Sequence, residues 1–235
     1  MTVDEFITKL SPKAQNILDG NLLKSGKIAH LFIDSNFPDS RYGVASDENY
    51  FIKIKDTNNI SQMEYSILHE FCHIMQEENN IPFIKAKQEK YSDLTVCVNS
   101  MILDIDVASQ LIEWGFPFEV YDFDCHIVNL KNVIEAISRN DVNFSSNYSK
   151  ILIYLEVVGH INIYKIFMNN DKTKSLIELC KTKNRILFEM LNYIEIITHN
   201  KDLKNPKDVH RIFRYIIKKY SLQEYLELSP FQLNQ

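Results

Sequence analysis

Glycine and proline are scarce in this sequence, with five glycines and six prolines among 235 residues. An all-β sandwich needs a turn about every ten residues, so this scarcity argues against that fold and favours long helices. Hydrophobic residues make up 45% of the chain and charged residues 24%, which is the balance of an ordinary water-soluble globular protein. The chain is long enough to bury a sizeable core.

Signals for paired cysteines are also absent. The four cysteines show neither CxxC spacing nor the density of a disulfide framework. Their positions are Cys72, Cys97, Cys125 and Cys180. We therefore expect free thiols in a reducing, cytoplasmic setting. Residues 1–10 carry three charges instead of an apolar run, so we expect no secretory signal peptide.

The sequence lacks an unbroken membrane-spanning run and a surplus of basic residues. The most apolar candidate, residues 151–168, is interrupted by Glu156, His160 and Lys165, which predicts a buried helix of a soluble protein. The net charge of −5 gives no general reason to expect nucleic acid as a partner. We expect neither a membrane nor a nucleic-acid partner, and no pattern predicts an oligomeric state.

Two strands and a long helix are predicted in the first third of the chain, after a short helix that begins at Pro12 and stops at Gly20. The first strand covers residues 27–34. In the second, Tyr50–Lys55, large apolar residues alternate with other residues, which is typical of a half-buried or edge strand. The following helix covers residues 61–79 and ends before Pro82.

Almost everything after residue 90 has the pattern of a helix. The predicted helices cover residues 93–114, 127–139, 148–169, 172–198, 207–219 and 222–228. The sequence therefore predicts a mostly helical α+β fold, with a small sheet and one helix after it, followed by a helical C-terminal half. Residues 140–147 are polar and rich in Ser and Asn. This junction divides the chain into residues 1–140 and a helical region, 141–235, packed on it.

The sequence His69-Glu70-Phe71-Cys72-His73 matches the motif HExxH. Residues four apart lie on one face of a helix, so the two imidazoles can bind one Zn²⁺. The glutamate between them lies about 100° round the helix and can accept a proton from an attacking water. Apolar residues occupy the opposite face of the same helix. The alternative is a solvated polar face on which two histidines happen to lie four residues apart.

Catalytic zinc takes three protein ligands and one open position, so a third ligand must be found. Gln76 and Asn79 stand where an extended HExxHxxGxxH motif would have Gly and His. Asp104 lies in an otherwise apolar helical run, where a carboxylate is costly to bury unless it is paired or bound to metal. We therefore predict Asp104 as the third ligand. Asp106 is an alternative, and either aspartate could instead cap a helix. Further candidates for this ligand are Glu77, Glu113, Glu119, Asp122, Glu156 and His160.

This combination of strand, polar turn and HExxH helix resembles the zincin metallopeptidases, most closely the ImmA/IrrE-type peptidases of bacteria and phages. The resemblance covers about residues 27–118. It implies that His69 and His73 bind zinc and that Glu70 is the general base. It also suggests that Tyr50–Lys55 holds an extended substrate by strand addition. Cys72 departs from the family, which often has a small residue there.

The resemblance implies a zinc-dependent metallopeptidase that hydrolyses a peptide bond in an intracellular protein or peptide, with residues 1–140 as the catalytic region. Two alternatives stay open: a zinc hydrolase of another amide, and a non-catalytic helical binding or regulatory protein whose HExxH is vestigial. His160 and Glu156, four residues apart, could steady an oxyanion. A hydrogen-bonded pair between packed helices is the second interpretation of these two residues.

Overall fold

The structure is a computed structural model that describes residues 3–20, 25–37, 40–44, 49–117, 123–142, 144–168 and 170–229. It is 66% helical, with a mixed three-stranded sheet and a two-stranded sheet, which confirms the predicted fold class. The chain forms two compact units. One comprises Met1–Ile81 with Val107–Phe116, and the other comprises Pro82–Asp106 with Pro117–Gln235. The division at residue 140 stays a prediction.

The first unit contains two short helices, the three-stranded sheet and the HExxH helix. Its elements are α1 (Val3–Ile7), α2 (Pro12–Gly20), β1 (Ala29–Asp34), β2 (Arg41–Val44), β3 (Tyr50–Lys55) and α3 (Ile60–Glu78). The last turns of α4 (Ser92–Glu113) also belong to it. Sequence analysis recovered α2, β1, β3 and α3 to within about two residues, and it missed α1 and β2.

The prediction that Tyr50–Lys55 could be an edge strand is wrong. β3 lies in the middle of the sheet, parallel to β1 and antiparallel to β2. Alternating apolar residues report which face of a strand is buried, not how many strands are bonded to it. Gly43 of β2 faces Phe51 of β3, and a Cβ at this glycine would lie 2.4 Å from the aromatic ring. The Phe51 ring therefore occupies the space that a side chain at position 43 would need, and glycine at that position avoids the clash.

The core of the first unit lies between the sheet and two helices. Tyr50, Ile52 and Ile54 are buried on one face of β3. One face of α3 packs in the same core, and its buried apolar residues are Met63, Ile67, Leu68, Phe71, Cys72 and Ile74. α4 adds Val107 and Leu111, both fully buried. Each such aliphatic side chain stabilises the fold by roughly 1.5–3 kcal/mol, so this core holds α3 firmly.

The second unit is built mainly from helices. Its helical elements are the first part of α4, α5 (Phe123–Ser138), α6 (Asn147–Phe167), α7 (Asp171–Lys183), α8 (Arg185–Thr198) and α9 (Pro206–Lys219). Two three-residue strands, β4 (Ile84–Ala86) and β5 (Leu226–Leu228), pair antiparallel. The side chain of Asn99 on α4 accepts a hydrogen bond from the Ile84 N–H and donates one to the Ile84 carbonyl.

Two helix predictions in this unit are wrong. Residues 172–198 form two helices instead of one, because Asn184 ends α7 and its side chain accepts a hydrogen bond from the Leu187 N–H at the start of α8. Residues 222–228 form one 3-10 turn and then β5, because the strand gains its hydrogen bonds from β4, which is distant in sequence.

Helices α4 and α6 approach closely at Gly159. A Cβ at this position would lie 3.4 Å from the Cβ of Met101, so glycine permits the contact despite its cost in a helix. α6 contains the apolar stretch around residues 151–168, and eight of its residues are buried. The prediction of a buried helix there is confirmed.

One other stretch, Glu89–Glu113, is long and apolar enough by length and composition to cross a membrane. A core helix of a water-soluble protein passes the same test. In the structure 44% of its most apolar window is buried, and the stretch carries the half-buried Asp104 and Asp106. One such helix is weak evidence for a membrane segment. It is compatible with the expectation of a water-soluble protein.

Candidate metal centre

Helix α3 presents the HExxH motif from a well-defined helix. The side chain of Asn59 accepts a hydrogen bond from the Gln62 N–H at the first turn, which satisfies an otherwise open donor. The helix ends at Asn79, and Asn80 adopts φ 57°. Because the opposite face of α3 is fixed in the core, His69 and His73 are held half-buried on the polar face.

The two histidines converge on one point. Their Nε2 atoms lie 3.2 Å apart, and the ring planes cross at 79° with centroids 4.8 Å apart. Two nitrogens bound to one tetrahedral Zn²⁺ at 2.0–2.1 Å lie about 3.3–3.4 Å apart. The separation in the structure therefore fits a shared metal ion with almost no movement of either ring.

Gln76 orients one of these rings. Its side-chain oxygen lies 3.0 Å from Nδ1 of His73, and because that oxygen is only an acceptor, Nδ1 must carry the proton and donate it. The proton is then absent from Nε2, which keeps a lone pair for a metal. Gln76 is 6% exposed. The sequence placed Gln76 on the same arc as the histidines but did not predict this role.

Asp104 lies with the two histidines. The closest ligand atoms of His69, His73 and Asp104 all lie within 4.8 Å of one another. The reason is the helix that carries the aspartate: Val107 and Leu111, one and two turns further along α4, are buried in the same core as α3. Residues three and seven apart share a helix face, so Asp104 is aligned with those two core residues.

The remaining candidates for the third ligand fare differently. Asp104 and Asp106 both lie inside α4, so the prediction that either aspartate caps a helix is wrong. Among the described residues the three-membered group contains no other acidic or imidazole side chain. The described candidates Asp106, Glu77, Glu113, Glu156 and His160 are not members of this group. Glu119 and Asp122 lie outside the described residues.

Two tyrosines flank the histidines, and neither was predicted. The ring of Tyr42, on β2, stacks on His73, and the two ring centroids are 5.7 Å apart. The ring centroids of Tyr65 and His69 are 6.4 Å apart. Burial, then the charges of Glu77 and Glu70, raise the pKa of Tyr42, so its hydroxyl stays protonated. Tyr65 lies one turn before His69 and could have been found from helical spacing, whereas Tyr42 depends on the missed strand.

Glu70 is 8% exposed, an unusual setting for a carboxylate. It lies on the turn that carries the histidines, and its charge reaches the Tyr42 hydroxyl. The imidazoles of His69 and His73 and the carboxylate of Asp104 can thus bind a cation. The carboxylate of Glu70 is separate from this group and can accept a proton. Cys72 is 4% exposed and packs in the core.

His160 belongs to a different group. Its ring packs edge-to-face on His126 of α5 with centroids 4.6 Å apart, and Nδ1 of His126 is hydrogen-bonded to the Tyr164 hydroxyl. Burial, then His126, lowers the pKa of His160 to about 4, and Asp104 opposes this shift. Glu156 is exposed.

In comparisons with known proteins, no protein-family model, no curated protein and no solved structure matches the chain.

Proposed function

We propose that this chain is a zinc-dependent metallopeptidase of the zincin type, similar to the ImmA/IrrE-type peptidases. The observation that carries the proposal is the convergence of His69, His73 and Asp104 within 4.8 Å beside the buried Glu70. Two imidazoles and one carboxylate form a ligand set of catalytic zinc sites, which leave a fourth position open.

His69, His73 and Asp104 would hold Zn²⁺, which would supply Lewis acidity towards a carbonyl group and towards water. Glu70 accepts the proton of the attacking water and delivers it to the departing amine. Gln76 holds His73 in the tautomer that binds metal, and stacking of Tyr42 on His73 limits rotation of the ring.

The substrate strand belongs on β2 instead of β3. Among the described residues β2 pairs only with β3, so its outer edge offers N–H and C=O groups to an extended peptide. Tyr42 connects this edge to His73. We place the reaction in the cytoplasm, since none of the four cysteines is joined in a disulfide and two of them are buried.

A cleavage screen tests the proposal. The zinc-loaded protein is incubated with a library of unstructured peptides and, in parallel, with small formyl and acetyl amides. We expect cleavage of peptides only, loss of cleavage with a chelator and recovery with zinc. Cleavage restricted to small amides would assign another zinc amidase. A zinc-loaded protein inert towards both classes would favour a non-catalytic regulatory protein.

A further inference from the structure

A groove in the second unit lies between helices α5 and α6, and its volume is about 570 Å³. Both helices line it at spacings of three and four residues, which is the pattern of one helix face. His126 and His160, whose rings are in contact, both line it. Ala136 of α5 lies ten residues from His126, so this wall is about 15 Å long at the rise of an α-helix.

The middle of the groove is apolar. Leu130 and Val133 line it from α5, and Ile153 and Val157 from α6. Leu130 and Val157 are almost fully buried, at 4% and 3% exposed. A groove of this volume with apolar walls and a few polar groups is the usual form of a site for a small ligand.

The groove carries one charged group among its polar side chains. This group is Glu156, an exposed carboxylate on the wall. Burial and then the charge of Glu156 raise the pKa of Cys97, and the same charge opposes the effect of burial on the pKa of His126. Burial nevertheless lowers the pKa of His126 and of His160. Both rings are therefore neutral near pH 7, and Nδ1 of His126 is already engaged by the Tyr164 hydroxyl. Asn129 and Asn132 add amide oxygens.

Within the part of the chain that the structure describes, no lysine or arginine lines the groove, which disfavours an anionic ligand. A metal ion is also disfavoured, because the described His126, His160 and Glu156 do not form a group with converging ligand atoms. A carboxylate beside an apolar channel, with only neutral polar groups near it, instead favours a ligand that carries a positive charge on a hydrocarbon chain.

We propose that the groove between α5 and α6 binds an alkylammonium group, with the ammonium held by Glu156 and the chain lying along Leu130, Val133, Ile153 and Val157. The ligand is either a free alkylamine or a lysine side chain of a peptide, since both present the same chemistry. This site does not depend on the proposed peptidase activity.

The test uses the full chain and n-hexylamine as the probe. Imidazole signals of His126 and His160 are followed by NMR during titration, with exposed His199 as an internal control. We expect saturable shifts at the groove histidines with a dissociation constant of roughly 1 mM. Glu156→Gln should weaken binding at least about fivefold, because the charged partner is lost. Glu178→Gln, at an exposed position of α7, is the matched control and should leave binding unchanged.

Two further probes complete the design. n-Hexanol, which has the same chain without the charge, should bind several-fold more weakly than hexylamine. N-acetyl-lysine methylamide identifies the source: tighter binding than hexylamine supports a peptide side chain, and weaker binding supports a free amine. Equal binding of hexanol and hexylamine, unchanged binding in Glu156→Gln, or equal shifts at His199 would overturn the proposal.

Discussion

Two pairs of histidines lie in different parts of the chain, His69 with His73 and His126 with His160. Their ring centroids are 4.8 Å and 4.6 Å apart, and both pairs meet nearly at right angles. The first pair lies on one helix, with both Nε2 atoms 3.2 Å apart and Asp104 beside them. The second pair joins two helices, and Nδ1 of His126 is engaged by Tyr164.

Proximity of two imidazoles therefore does not make a metal site. The first pair, which we propose as the metal site, differs in having a carboxylate within reach and a hydrogen bond to Gln76 that sets the tautomer of His73. The second pair instead packs as two neutral rings. The following substitutions and measurements separate the two pairs, from the largest expected effect to the smallest.

The sharpest contrast is between two glutamates, Glu70 and Glu156. Glu70→Gln removes the proposed base, so peptide cleavage should fall by about 10²–10⁴-fold while zinc content is unchanged. Glu156→Gln should leave cleavage at the wild-type level. Both are measured as initial rates on the zinc-loaded protein. Full peptide cleavage by Glu70→Gln would show that Glu70 is no more important for catalysis than Glu156.

The second contrast is protonation of His160. Its pKa of about 4, against an ordinary value of about 6.5, means that the folded protein binds this proton on the order of 300-fold more weakly than the unfolded chain. The unfolded state takes up the proton first, so stability is fully present above pH 6.5 and falls as the pH approaches 4. Between pH 7 and 5, the metal-free wild type should lose about 2 kcal/mol more than His160→Gln.

NMR titration of the His160 ring gives the direct measurement, and urea unfolding gives the free energy. The unfolded protein in urea serves as the reference for an ordinary imidazole. A midpoint near pH 6.5 in the folded protein would show that the second pair is solvated instead of buried.

Asp104 and Asp106 test whether the first pair needs its carboxylate. Asp104→Asn should lower zinc affinity at least about 100-fold, because a neutral amide is a much poorer zinc ligand than a carboxylate. Asp106→Asn, two residues away on the same helix, should have little effect. Competition with a zinc-sensitive dye measures both variants, and equal affinities in the two would exclude Asp104 as a ligand.

Gln76 tests the hydrogen bond that orients His73. Gln76→Ala should weaken zinc binding by about 10-fold, the usual effect of losing an outer hydrogen-bond partner of a ligand. Gln62→Ala, on the first turn of the same helix, is the control for a lost glutamine. If both variants bind zinc alike, the tautomer of His73 is set in another way.

The elements that sequence analysis recovered were those with strong local signals. α3 was predicted to within a residue at each end, because its apolar period runs between Asn59 and the positive-φ Asn80. β2 has only four residues, one of them Gly43, and leaves no period to detect. β4 and β5 are hydrogen-bonded to each other although they lie about 140 residues apart in the sequence. A local sequence pattern cannot predict such a pairing.

The residues of the candidate site also divide into those that a local pattern predicts and those that it does not. His69, Glu70 and His73 follow from spacing on one helix, and Asp104 follows from the cost of burying a carboxylate in an apolar run. Tyr42 could not be predicted, because it reaches His73 only through the order of strands in the sheet. The break at Asn184 was hidden because apolar residues continue at helical spacing on both sides of it.

Zinc stoichiometry tests the central claim most directly. Purified wild-type protein, stripped of metal and supplied with micromolar zinc, should bind about one zinc per chain, as measured by elemental analysis after gel filtration. His69→Ala should bind none, and His126→Ala, the matched change in the second pair, should still bind one. A wild type that takes up no zinc, or equal losses in the two variants, would contradict the account.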